Sequence, residues 1–456
     1  MEIVATTVDH YFPTLPAWLA DLSDSRDQDR IVYSRETVVW AGLVGMMSKV
    51  GSRARMRVPI ATAVGIKNLG ILSGQENLEG VPHGDTLEYF LRRGNLREFE
   101  ELQAKMVGRL LRTRVLERYR LQGQYYTIAI DGVHVKTFEY AHCGECVVCE
   151  RDDGQRQWRH YKLQASLVSK DGLSLPIAQE WIENEKGYEK QDCELKAFYR
   201  LVKKLRDFYP RLRICLLLDG LYAVEPVFEA LRQARIKWIV VLKKGRSPQR
   251  YDWVMGWKER YGKHNVLTTK RARVIEERNP RSHAERLTRK KAEHKKREVV
   301  TVTTHTWMSD IEDVQDRRRY NVMTCKEVCD GKTKCDYVWL VSEGLGLNAA
   351  TVRELAAAGR SRWVIENQGF NTQKNGGYGL GHCYSRDEVA MKLWDVLMNI
   401  AHLINQLVEK GSLIVRKEYR RLKDIACAFL KDFREHILEK PPNRPRIQIR
   451  LCQNTS

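Results

Sequence analysis

Leu212-Arg213-Ile214-Cys215-Leu216-Leu217-Leu218-Asp219-Gly220 is the stretch from which the rest of the chain can be read. A nearly continuous apolar run of this length is the pattern of a strand buried on both faces. It stops at an acidic residue and a glycine. Upstream, residues 191–208 read as a charged helix stopped by Pro210. Downstream, residues 224–235 read as a helix and 236–242 as a second buried strand. Farther back, Tyr125-Tyr126-Thr127-Ile128-Ala129-Ile130 is β-branched and aromatic and runs into Asp131-Gly132. Strands over 160–168 and 173–181 follow, joined by Ser169-Lys170-Asp171-Gly172, a hairpin signal. The order is strand, hairpin, helix, strand, helix, strand. It predicts an α/β fold with a mixed sheet flanked by helices.

The pattern is different on either side of this core. Residues 1–122 look helical: Leu87, Phe90 and Leu91 repeat at helical spacing after Asp85, a candidate cap, and Phe99, Leu102, Met106, Leu110 and Leu111 form a face among many Arg and Lys. This region is expected to be a helical N-terminal DNA-binding domain. Residues 123–245 are expected to form the first part of the α/β core. Residues 246–336 form an insertion, with strand-like alternation over 299–307 and 320–325 and a basic run over 270–297 holding 12 Lys/Arg and 4 Asp/Glu. The core resumes over 337–415, and 416–456 reads as a basic C-terminal tail.

Positive charge dominates, with 78 Lys+Arg against 58 Asp+Glu and a net charge of +20. Such a chain is expected to meet a polyanion, above all the phosphate backbone of nucleic acid. The longest apolar stretch, 389–408, carries Lys392, Asp395, Asn399 and His402, so it reads as a buried helix, not a membrane span. No secretory signal is expected in residues 1–20, which hold Asp9, His10 and two prolines, and the expected location is cytoplasmic, associated with the nucleoid. Eleven cysteines in such a chain read as reduced thiols with one candidate metal cluster.

Asp131 and Asp219 fall at the carboxyl ends of expected strands, where ligands gather in open α/β sheets. Either one alone would read as a turn former. Two at equivalent strand ends of a strongly basic chain point to oxygen ligands for Mg²⁺ or Mn²⁺. Glu366 lies in Arg362-Trp363-Val364-Ile365-Glu366-Asn367, on an expected helix. Physics leaves it evenly placed between a metal ligand and an exposed ion pair with Arg362, four residues before it.

Three segments carry a resemblance: Ala129-Ile130-Asp131-Gly132, Leu216-Leu217-Leu218-Asp219-Gly220-Leu221-Tyr222 and Arg362-Trp363-Val364-Ile365-Glu366-Asn367-Gln368-Gly369-Phe370. They resemble bacterial insertion-sequence transposases of the DDE type, with an RNase H-like catalytic domain and a β-rich insertion before the third acid. The resemblance implies Asp131, Asp219 and Glu366 as first, second and third metal ligands. It also implies two-metal phosphoryl transfer that cuts element ends and joins them to target DNA, by a homodimer on DNA. Relatives with the insertion often carry a Tyr-Arg-Glu-Lys signature. Arg362 stands in its place, Gly359 occupies the Tyr position, and Lys374 comes one residue late. Arg362 and Lys374, with Lys243 and Lys244 after the second buried strand, are the expected phosphate contacts. The alternative functions are an RNase H-like nuclease that cuts without joining, and a domesticated DNA-binding protein without catalysis.

Between the first two strands lies His142-Cys143-Gly144-Glu145-Cys146-Val147-Val148-Cys149. Cys-x₂-Cys spacing suits Zn²⁺, and Cys143, Cys146 and Cys149 with His160, or with His142 in its place, make a candidate tetrahedral set. Cys325, Cys329 and Cys335 are a looser group expected to stay reduced.

Overall fold

The computed structural model describes every residue except 1, 51, 185–189, 279–293, 314–317, 383, 415–421, 441–446 and 453–456. The centre of the basic run over 270–297 and much of the expected tail therefore lie outside the described residues. Along the chain come helices α1 (Glu2–Tyr11), α2 (Leu15–Ala20), α3 (Arg35–Met47), α4 (Ala63–Ser73), α5 (Gly84–Leu91) and α6 (Leu96–Arg112), then strands β1 (Arg120–Leu121), β2 (Tyr125–Phe138), β3 (Val147–Glu150), β4 (Arg156–Val168) and β5 (Ser174–Ile182). Next are α7 (Glu194–Phe208), β6 (Ile214–Leu218), α8 (Glu225–Gln233), β7 (Lys237–Val241), α9 (Pro248–Tyr261), β8 (Val266–Arg278), β9 (His294–Glu312), β10 (Arg319–Cys329) and β11 (Lys332–Val341). Helices α10 (Val352–Arg360), α11 (Asn371–Asn375), α12 (Glu388–Lys410) and α13 (Leu422–Glu435) complete the order. The fold class is the expected one: a mixed α/β sheet flanked by helices, with helices before it and a β-rich insertion within it.

The chain divides into two compact units, residues 1–215 with 361–456, and residues 216–360. In the first, the helices of 1–122 share one body with the strands that follow. β4 is the organising strand. β2 pairs antiparallel along one side, and β5 and β3 pair along different lengths of the other. The β4–β5 hairpin turns at Gly172, whose φ of 77° is the left-handed conformation glycine adopts without strain.

Helix α12 fills the middle of this unit, against α1, α3, α5, α6 and β5. Asp387 caps it by accepting from the Ala390 amide at 2.9 Å. Leu393, Val396, Leu397, Ile400, Leu403, Ile404 and Leu407 are buried, each contributing about 1.5–3 kcal/mol. A buried polar seam faces β4 and β5. Lys162, fully buried, pairs with Asp395 and also donates to Gln179 at 3.0 Å and Gln164 at 3.2 Å. Asn399 donates to Gln179 at 2.7 Å, and Gln373 of α11 donates to Asn399 at 2.8 Å. The apolar flanks of α12 offset the cost of desolvating this ion pair.

Two local expectations change. His83, not Asp85, caps α5: its Nδ1 accepts from the Asp85 amide at 3.2 Å. The stretch expected as a basic tail contains α13, where Ala426, Phe429 and Phe433 are buried at helical spacing. Asn68 of α4 holds its end, donating to the carbonyls of Phe433 at 2.9 Å and His436 at 2.8 Å. The apolar period of that helix outweighs its many charges.

In the second unit the strand order is β6-β7-β11-β10-β9-β8. All five residues of β6 are buried, as its apolar run requires. β6 and β7 are neighbours joined through α8, the connection parallel strands need. β11 then pairs antiparallel to β7, and β10, β9 and β8 follow as antiparallel neighbours. The β10–β11 turn is Asp330-Gly331, both at positive φ (48° and 76°), which matches strand twist in a two-residue hairpin. β8, at the edge, exposes Lys270, Arg271 and Arg273. Among the described residues no helix is long and apolar enough to cross a membrane.

Candidate active site

Asp131 does not end its strand. It sits inside β2, opposite Gln164 of β4, because the long β4 partner carries the pairing on to Phe138. Nor does Gly132 make a turn. A Cβ there would fall 2.7 Å from the Tyr161 ring, so glycine leaves room for that ring.

The segment carrying Glu366 is more irregular than the expected single helix. α10 ends at Arg360, a 3₁₀ turn covers Ser361–Trp363, a π-helical turn covers Ile365–Phe370, and α11 follows. π turns are rare and concentrate at functional sites. This one buries Ile365, Gly369 and Phe370 and leaves Glu366 on the other side. A Cβ on Gly369 would come 3.0 Å from Ser174 Oγ, so the turn lies tightly on β5. The Glu366 side chain is 48% exposed, so it is not a carboxylate buried on an apolar face.

Arg362 brings the two acids together. Its Nη1 donates to Asp131 Oδ2 and its Nη2 to Glu366 Oε1, each at 2.8 Å. The guanidinium is 19% exposed and Asp131 24%, against the half-open Glu366. Expected as a phosphate contact, Arg362 is turned onto carboxylates here. The signal was present in the sequence as its four-residue spacing from Glu366, but its bond to Asp131, 231 residues away, was not. Burial, together with the hydrogen-bonded Glu366 carboxylate, pushes the Asp131 carboxyl up to about 7 against the pull of Arg362. Two carboxylates share one guanidinium and together form an all-oxygen donor set. That suits a hard divalent cation. Trp363, next to this bridge, is 49% exposed and is not the core residue its type suggests.

Of the other expected site residues, Lys374 belongs to the first unit, and Asp219, Lys243 and Lys244 to the second. Lys374 is exposed on α11. Asp219 lies in the second unit, one residue past β6, and its Oδ1 accepts from the Leu221 amide at 2.8 Å, capping the 3₁₀ turn Gly220–Tyr222. Gly220 sits against the end of β7, where an added Cβ would meet the Val241 carbonyl at 3.3 Å and the Lys243 side chain at 3.7 Å. Lys243 thus stands beside the turn that carries Asp219. Lys244 is exposed and 3.6 Å from Asp252.

The His/Cys segment also gathers, with a different membership from the set built on Cys149. His142, Cys143, Cys146 and His160 place one ligand atom each within 4.8 Å of one another. Cys149 is on β3, paired with Gln157 of β4 and outside the group. Among the described residues, Cys325, Cys329 and Cys335 form no such group.

Residues 122–404 match the family described as transposase DDE domain, which is more than half of the chain. The chain belongs to this family. The matched span of this DDE-domain chain begins just before β2, ends within α12, and contains Asp131, Asp219 and Glu366. A cryo-EM structure of a piggyBac transposase synaptic complex with hairpin DNA is similar at a TM-score of 0.37 and 11% identity, over 97% of this chain and 80% of that one. That likeness is too loose to position any residue. No curated protein matches the sequence.

Proposed function

We propose that the chain is a DNA transposase in which Asp131, Asp219 and Glu366 hold the divalent ions, Mg²⁺ or Mn²⁺, that serve both cleavage at element ends and strand transfer to target DNA. The observation that carries this reading is the Arg362 bridge: residues far apart in sequence converge as two carboxylates around one cation. When bound, the ions would supply activation of the incoming oxygen and charge neutralisation at the leaving one. The chain's own part is to hold the acids. β2 fixes Asp131, the π turn fixes Glu366 on the sheet, and the Asx-type cap fixes Asp219 at the end of β6.

Arg362 supplies positive charge between Asp131 and Glu366 and is a planar donor suited to phosphate as well as carboxylate. Lys374, Lys243 and Lys244 are exposed phosphate contacts, and the basic edge strand β8 follows the DNA backbone across the insertion. Two element ends must react in one event, so the working form is a homodimer on DNA.

The test is strand cleavage and transfer on DNA bearing the element's ends, with Mn²⁺ or Mg²⁺. Asp131→Ala, Asp219→Ala and Glu366→Ala should each abolish both steps while leaving DNA binding intact. Activity in all three variants would refute the ligand assignment. Cleavage without joining would favour the nuclease, and binding without cleavage the domesticated binder.

A further inference from the structure

We infer that His142, Cys143, Cys146 and His160 form a structural Zn²⁺ site, separate from the acids, that fixes the excursion between β2 and β4. The donor chemistry decides the metal. Two thiolates and two imidazoles are a soft, four-ligand set that favours tetrahedral Zn²⁺ over the hard ions that carboxylates bind.

The distances agree. Cys143 Sγ and Cys146 Sγ are 3.2 Å apart, and each lies near His160 Nε2, at 3.6 and 3.4 Å. Sulfur ligands at about 2.3 Å and nitrogen at about 2.0 Å from one tetrahedral centre lie about 3.8 Å (S to S) and about 3.5 Å (S to N) apart. A disulfide would need about 2.05 Å. The observed thiol pair is nearer the metal-bound spacing, and both cysteines are free.

The surroundings are built for a fixed site. His160 is fully buried, with its Nδ1 4.0 Å from Glu183 and without a hydrogen-bond partner. A carboxylate on the outer nitrogen is the usual partner of a metal-bound histidine, fixing its tautomer. His142 stacks on Phe138 with ring centres 3.9 Å apart, which sets the plane of its imidazole. Asn184 donates to the Cys146 carbonyl at 2.9 Å, holding the Cys-Gly-Glu-Cys turn. Lys392 of α12 bridges Glu145 at 2.8 Å and Glu183 at 2.7 Å, so the turn is tied to the central helix as well. Cys149 is excluded by strand geometry. Three residues beyond Cys146 along an extended chain is about 10 Å. Two thiolates neutralise one Zn²⁺, so the group can be buried without net charge.

The experiment is metal analysis of the full chain purified without a metal-affinity tag, with Co²⁺ substitution as an optical readout of thiolate ligation. The wild type should carry one zinc per chain and give a thiolate-to-cobalt charge-transfer band. Cys143→Ser, Cys146→Ser and His142→Asn should lose zinc, and Cys149→Ser should keep it with an unchanged cobalt band. Chelation should increase proteolysis between residues 139 and 159. Should the cysteine variants fail to fold, the contrast between His142→Asn and Cys149→Ser still decides the ligand set. Zinc lost from Cys149→Ser and kept in His142→Asn would overturn the assignment. A wild type that takes up neither zinc nor cobalt, or that shows a Cys143–Cys146 disulfide under reducing conditions, would overturn the site.

Discussion

Replacing Lys162 by Met tests the buried seam that supports the Glu366 segment. Lys162 is fully buried, its partner Asp395 is 2% exposed, and Asp395 Oδ1 has no hydrogen-bond partner. Removing the ammonium therefore strands a carboxylate that is already under-satisfied, a change that typically costs about 3–5 kcal/mol. The Asp395→Leu variant should cost a similar amount by stranding the lysine. The double variant, Lys162→Met with Asp395→Leu, removes both desolvation costs and is expected to lie within about 1–2 kcal/mol of wild type. The three effects should be strongly non-additive. The damage should also reach the Glu366 segment, because Lys162 shares Gln179 with Asn399, and Asn399 holds Gln373 one turn past the π-helical segment. Urea unfolding followed by tryptophan fluorescence, alongside strand cleavage, would measure both. A Lys162→Met variant within about 1 kcal/mol of wild type would refute a charged, paired lysine at this position.

Three further outcomes follow from single contacts. Arg362→Lys keeps the charge but not the fork; loss of one charge-assisted bond, about 1.5–3 kcal/mol, should lower cleavage about ten- to hundredfold, and full activity would rule out the bridge as what positions the acids. His402 is fully buried, and burial holds its imidazole down at about 4 from an ordinary 6.5. The unfolded chain therefore binds this proton first as pH falls, so this group should lower stability by about 3 kcal/mol between about pH 6.5 and 4, a contribution that His402→Gln should remove from pH-dependent unfolding curves. Gly359→Ala should gain up to about 1 kcal/mol of helix propensity. Its Cβ would nevertheless fall 2.8 Å from Trp339 Nε1, on a buried ring; overpacking of about 1–3 kcal/mol should win, and a raised melting temperature would contradict that.

The parts of the fold set by chain-local hydrophobic pattern were legible in the sequence. The run ending at Leu218 is a fully buried strand, the β4–β5 hairpin turns at the expected glycine, and Asp219 lies just past its strand. Features that depend on a distant partner were not. Asp131 is inside a strand because β4 extends beside it, and Gly132 serves the Tyr161 ring, not a turn. Cys-x₂-Cys spacing located the His/Cys cluster, but spacing alone cannot show that β3 carries Cys149 away while Phe138 brings His142 in. The Arg362–Glu366 pair was visible as an i,i+4 spacing, with an exposed ion pair weighed equally against a metal ligand at Glu366. Its link to Asp131 required the fold.

The π turn at Glu366 bears on how this chain is aligned with others. In a regular α-helix one extra residue rotates every later side chain by about 100°. A π turn absorbs an inserted residue in one widened ring, leaving the helix on either side in phase. Lys374, one position late against the Tyr-Arg-Glu-Lys pattern, follows such a turn directly. Gapless counting from the glutamate would score it as a mismatch, whereas a one-residue gap placed within residues 367–370, inside the π turn, would bring it into register.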